Sequence, residues 1–205
     1  MNAKKAKIDI LEEDTLTNMK KENTFYNKKV CISESIELKD ITFDSCYFDR
    51  VSFNDIKLDN VFFVDCVFNK CDLSNHEFMK TNLTRCEFNN CNLVGISFIE
   101  SVLVDIYIIS SKCNYINLSN SKCENFVIKD SNLTNGTFRS LKLKNWELLD
   151  NDFTNSEFFK TSLKDIDFSE CILLGINIDL ESLKGMIVNE EEALALSTLL
   201  GLKIK

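Results

Sequence analysis

A repeat of period five constrains this chain more than anything else in it. Written in fives from Ile36, the sequence runs IELKD, ITFDS, CYFDR, VSFND, IKLDN, VFFVD and onward to INIDL without a slip. The third residue of every block is Leu, Phe or Ile, with Cys113 and Cys123 the two exceptions. The frame holds from Ile36 to Leu180, which is 29 blocks. Neither an α-helix, with 3.6 residues per turn, nor a plain alternating strand carries such a period. The first residue of each block is usually apolar or small (Ile41, Cys46, Val51, Ile56, Val61, Cys66), and the residue between it and the third is mostly polar. That is the in-out-in alternation of an extended segment. The last two residues are mostly Asn, Asp, Ser, Lys or Thr, which suit a bend. Each block is thus a short extended piece plus a corner. A coil of short sides is the shape that buries one inward pair per block indefinitely.

This unbroken tandem pattern resembles that of the pentapeptide-repeat proteins, and the resemblance covers most of the chain, from Ile36 to Leu180. In that family four blocks make one square coil, and coils stack through parallel ladders. The resemblance implies an all-β fold, a right-handed quadrilateral parallel β-helix of about seven coils. At ~4.8 Å per ladder step such a rod is roughly 35 Å long. The implied four-block coil can be tested on the columns. Phe48, Phe68, Phe88, Ile108, Ile128, Leu148 and Phe168 form one, and Phe43, Phe63, Leu83, Leu103, Cys123, Leu143 and Leu163 another. Cys46, Cys66 and Cys86 recur at four-block steps, as do Cys71 and Cys91. Phe126 and Trp146 are large at positions usually held by small residues, and Phe126 is expected to fill volume left by Cys123.

Three segments follow from the frame. Residues 1–35 are expected to be a non-repeat N-terminal cap, with 24–35 irregular or an atypical first coil. Residues 36–180 form the β-helix, and 181–205 a C-terminal helix-plus-strand cap. In the last segment Asn189 followed by Glu192 reads as a capping box. It opens a helix from Glu190 to Leu200 that stops at Gly201, with Leu202 and Ile204 in a short strand. The tail resembles the C-terminal dimerisation module of the Qnr-type quinolone-resistance members. Leu194, Leu196, Leu199, Leu200, Leu202 and Ile204 are accordingly the expected homodimer contacts, the alternative being a simple end-cap.

The chemistry-bearing residues read as structural. Nine Cys without a C-x-x-C pair, in a chain with no secretory signal, point to a reducing cytoplasmic location without disulfides. Zinc needs four ligands around one ion. The register instead stacks Cys66 over Cys86 on one face and Cys71 over Cys91 on the next, a thiol ladder inside the coil. His76, the one histidine, falls at an inward position between Ile56 and Ile96. No nucleophile motif or phosphate-binding loop accompanies it, so no catalytic residue, metal or cofactor is expected. No apolar stretch approaches the ~20 residues of a membrane span.

The outer surface remains. The chain carries a net charge of -8, which disfavours direct nucleic-acid binding. Some family members bind bacterial type II topoisomerases by imitating duplex DNA, so DNA gyrase or topoisomerase IV is the partner this resemblance names. From Ile36 to Ile178 there are 21 Asp and Glu against 14 Lys and Arg, a net -7. Duplex DNA of that length carries about 20 negative charges. No insertion interrupts the frame to make the projecting loops of the resistance members. A scaffold with no topoisomerase activity is the competing reading. A continuous acidic stripe would favour the mimic, and scattered, paired charges the scaffold.

Overall fold

The computed structural model describes residues 3–8, 12–15, 24–31, 36–54, 56–78 and 80–201. The expected corners appear at the fifth position of the blocks. Twenty-four non-glycine residues there, from Asp40 to Asp165, adopt φ between 50° and 62°. Fourteen of them are Asn or Asp, whose short polar side chains tolerate the left-handed region best. This is how a chain with five glycines and no proline turns a corner in every block.

The blocks stack in parallel at the expected four-block offset, with Ile36 beside Ile56 and Asn82 beside Val102. Strands Ile36–Asp44 and Ile56–Val64 cross the corner from the fourth face to the first. Strands Asn82–Asn89, Val102–Ile109, Lys122–Lys129 and Lys142–Leu149 run across the first and second faces. The Phe43 column is in register through Phe63, Leu83, Leu103, Cys123 and Leu143. Through the middle coils the third and fourth faces are held by single bridges, such as Asp72 to Asn92 and Ser97 to Asn117. The result is a parallel β-solenoid of about seven turns whose axis is filled by side chains. Phe48, Phe68 and Phe88 stack face to face, each 4.7 Å from the next. Phe138 and Phe158 repeat this at 4.8 Å.

Strands also precede the frame. Thr24–Tyr26 pairs with Thr42 to Asp44, and Lys28–Cys31 pairs with Tyr47 and Phe48, both across a coil shorter than those of the array. Glu12–Thr15 lies against Lys28–Cys31 across a coil shorter still. Phe25 and Val30 extend the core toward the N-terminal end. At the other end Asp179 caps a short helix, Leu180–Leu183, by accepting from the Ser182 amide. Asn189 then caps helix Glu190–Ser197 by accepting from the Glu192 amide. The chain continues as a 3-10 turn, Thr198–Leu200, and reverses at Gly201 with φ 72°. One half of the expected capping box differs. The Glu192 carboxylate accepts from the Leu173 amide, which ties the helix to the last coil instead of closing on Asn189.

Candidate interaction surfaces

The inward polar residues are structural, and their geometry gives the reason. The thiol of Cys66 donates to the carbonyl of Phe43 at 3.4 Å, that of Cys86 to Phe63 at 3.5 Å, and that of Cys46 to Phe25 at 3.3 Å. Cys71 and Cys91 do the same to Phe48 and Phe68. Where the first block position is not Cys, Ser101, Thr161 and Asn151 make the same bond, to Phe78, Phe138 and Ile128. These groups satisfy backbone carbonyls that would otherwise be buried without a donor. Burial pushes the Cys66, Cys113 and Cys123 thiols well up and Cys171 to about 11, so they stay protonated at neutral pH. Among the described residues no group of His, Cys, Asp and Glu has the arrangement of a metal site. His76 is half-buried, edge-on to Phe78 at 5.5 Å, and its Nε2 has no hydrogen-bond partner among the described residues. Burial lowers its pKa, which keeps the ring neutral.

Outside, several oppositely charged side chains pair between neighbouring coils, although Lys122 stands beside Lys142 and Asp130, Asp150 and Glu170 recur at the four-block spacing. Lys39 pairs with Asp59 at 2.9 Å, Arg85 with Asp65 at 2.6 Å, Lys80 with Glu100 at 3.6 Å and Lys144 with Glu124 at 2.5 Å, each pair bridging neighbouring coils. Stacking at ~4.8 Å brings such opposite charges close enough to attract.

One acidic strip is covered by the chain itself. Residues 3–8 lie along the corner between the first and second faces, running back from the fourth coil to the second. The Lys4 amide donates to Asp105 at 3.3 Å, the Ala6 amide to Glu87 at 3.2 Å and the Lys7 amide to Asp65 at 3.1 Å. The Tyr107 hydroxyl donates to the Ala3 carbonyl at 2.7 Å, and the Lys5 ammonium lies over the Tyr107 ring at 5.6 Å. Burial raises the Asp65 carboxyl. The Arg85 fork and the Lys7 amide outweigh that and leave it below the usual range. The sequence signal for this contact is the Lys4, Lys5, Lys7 cluster, but nothing local says where it lands.

The C-terminal end is apolar. Among the described residues six of the ten exposed large hydrophobic side chains fall within 172–199: Ile172, Leu174, Leu180, Ile187, Leu194 and Leu199. Leu174 is 66% exposed and Leu194 54%, whereas Leu196 packs inward at 8%. A groove of about 200 Å³ beside them is lined by Leu183, Met186, Val188, Ala193, Leu196 and Ser197. Leu202 and Ile204 lie outside the described residues, as does the Leu200 side chain. Among the described residues no helix is long and apolar enough to cross a membrane.

Comparison with known proteins bears on the fold. Residues 61–138 match a family model described as pentapeptide repeat region. No curated protein sequence matches the chain. Among solved structures it is similar to HetL, a pentapeptide repeat protein involved in heterocyst differentiation regulation from the cyanobacterium Nostoc sp. strain PCC 7120. That match has 13% identity over 91% of this chain and 92% of HetL, with a TM-score of 0.50. A trypsin-treated form of QnrB1, a plasmid-mediated fluoroquinolone resistance protein, matches at 20% identity over 97% of this chain and 94% of its own, with a TM-score of 0.32. Rfr23 from the cyanobacterium Cyanothece 51142 matches at 18% identity over 55% of this chain and 64% of its own, with a TM-score of 0.24.

Proposed function

Starting from a chain that is a pentapeptide-repeat protein, we propose that it is a non-enzymatic protein-binding module that pairs with a second copy of itself through its C-terminal end. The observation that carries the reading is the apolar end. The coil interior is filled by Phe, Leu and Ile, so the outer surfaces are what the molecule offers a partner. On those surfaces the exposed apolar side chains concentrate in the last coil and its cap. A simple end-cap needs only to cover the last coil, and Leu196 and Leu183 already do so. Leu194 and Leu199 face outward beyond that need. The cytoplasm suits its buried, reduced thiols. Sedimentation equilibrium tests the pairing. The expected mass is twice 23.6 kDa, and L194E/L199E is expected to return it to the monomer. A monomer at tens of micromolar for the unaltered chain overturns the pairing.

A second reading is favoured by the acid excess of the rod, namely protection of gyrase or topoisomerase IV from quinolones by imitation of DNA. Its difficulty is the coil-to-coil pairing of Lys39 with Asp59, Lys80 with Glu100 and Lys144 with Glu124, which neutralises acids that a DNA mimic would display. The scaffold reading therefore stands ahead. A gyrase supercoiling assay with ciprofloxacin separates the two. Rescue at low micromolar protein supports the mimic, and neither rescue nor inhibition leaves the scaffold.

A further inference from the structure

We propose that the strip formed by Asp65, Glu87, Asp105 and Tyr107 is a docking site for an extended, lysine-bearing segment of a partner protein, and that residues 3–8 are its displaceable resident. The proposal rests on reading the rod as a protein-binding module, but not on its self-association.

Four observations carry it. First, the strip already holds an extended peptide, and it does so through main-chain groups. The Lys4, Ala6 and Lys7 amides donate to three carboxylates, and the Ala3 carbonyl accepts from Tyr107. Any extended chain presents those groups, so the recognition does not depend on this particular sequence. Second, the strip adds one side-chain requirement, a cation. Tyr107 receives the Lys5 ammonium on its ring face. Burial, and after it the field of Glu87, Glu147 and Asp105, hold the hydroxyl of the same tyrosine protonated. An aromatic ring bordered by carboxylates selects an ammonium group.

Third, the charges match. Asp65, Asp105 and Asp44 surround Arg85. Glu87, Glu147 and Lys129 surround Tyr107. These five carboxylates and two cations leave a net -3, against the +3 of Lys4, Lys5 and Lys7. Fourth, the resident can leave without unpairing the coils. None of residues 3–8 is buried, and the segment adds no backbone-to-backbone rung to the coils. Its bonds to Asp65, Glu87 and Asp105 are part-buried contacts to charge, and added salt weakens the attraction of its three lysines to the strip. Leaving the strip exposes carboxylates but breaks no ladder.

The test uses the full-length chain and a fluorescent peptide with the sequence of residues 2–8, NAKKAKI, read by anisotropy at low salt. The unaltered chain is expected to bind it weakly, because its own segment competes. In K5E/K7E the resident is repelled from the strip, and the peptide is expected to bind at least tenfold more tightly. Adding E87Q/D105N to that background is expected to remove the gain. A peptide with glutamine at its three lysines is expected not to bind, a comparison that requires no change in the protein. Equal affinity of the lysine and glutamine peptides overturns the proposal, as does equal affinity of K5E/K7E and the unaltered chain. Sedimentation of the same samples reads self-association separately, so failure of the strip leaves the C-terminal pairing standing or falling by itself.

Discussion

The Oγ of Ser101 donates to the carbonyl of Phe78, 2.7 Å away and 23 residues earlier in the chain, and accepts from the amide of Thr81, one coil back. One buried hydroxyl thus closes two main-chain groups at a corner. Ser111 repeats the arrangement, bonding Phe88 and Cys91. The expected consequence is a steep response to S101A, which strands a buried carbonyl and a buried amide. The loss is about 1–3 kcal/mol, read from the urea midpoint at constant m-value. S101C restores a weaker donor in the place that Cys66 and Cys86 occupy in neighbouring columns, and should recover part of it. An S101A midpoint equal to that of the unaltered chain would mean that water or a backbone shift satisfies both groups.

How far this was visible in the sequence depends on the kind of interaction. The Phe48, Phe68, Phe88 column and the Asn189 cap repeat or act locally, so spacing alone revealed them. The Cys positions were legible as small and inward, but not as donors. The signal was the presence of Ser101, Thr161 and Asn151 at the same block position, residues that share a hydrogen-bond donor and little else. The coil at 24–31 escaped the frame because it is shorter than the rest, setting Phe25 beside Phe43 where the array sets Phe43 beside Phe63. The contact of Lys4 with Asp105 escaped for a different reason. It joins surface groups 101 residues apart and leaves no periodic trace.

Gly95 occupies a corner with φ 69°, and a Cβ there would clash with Oδ1 of Asn75. G95A is therefore expected to lose stability twice over. The left-handed backbone disfavours alanine by about 1–2 kcal/mol, and the clash adds to it. The two contributions separate in the N75G background, where the clashing side chain is gone and residue 75 keeps its left-handed conformation without strain. G95A should be milder there, and thermal melts of the four proteins measure the difference. Equal losses in both backgrounds would show that Asn75 swings aside freely.

His76 makes stability depend on pH in a window that no other histidine enters, since the chain has one. Burial lowers its pKa below the ordinary 6.5. The unfolded chain therefore binds the proton at a higher pH than the folded one. Its contribution is fully present above about pH 6.5 and is lost as pH falls toward the folded-state value. H76I matches Ile96 beneath it in the column and should flatten the stability profile just below about pH 6.5. Denaturant midpoints at half-unit pH steps supply the check, and an unchanged slope in H76I would place the titration elsewhere.

The ladder has a weak step, and Trp146 sits on it. Down its column the inward residues are Cys46, Cys66, Cys86, Ile106, Phe126, Trp146 and Ile166, so the largest side chain comes just before the last coil. Strand Lys142–Leu149 pairs with Lys122–Lys129 on one side only. Among the described residues no backbone hydrogen bond joins 142–150 to 161–170, although the third and fourth faces remain paired at Asn151 with Cys171 and Phe158 with Ile178. A groove of about 730 Å³ opens there, lined by Leu143, Trp146, Lys164 and Ile166. The Trp146 indole nitrogen has no hydrogen-bond partner among the described residues. Amides facing an open edge exchange without global unfolding. Hydrogen exchange is thus expected to be faster over 142–150 than over 102–110, the same segment two coils earlier. W146I, which matches Ile106 and Ile166, should slow it by letting the coils approach. Equal protection of the two segments in the unaltered chain would mean that coils six and seven bond across this step in solution.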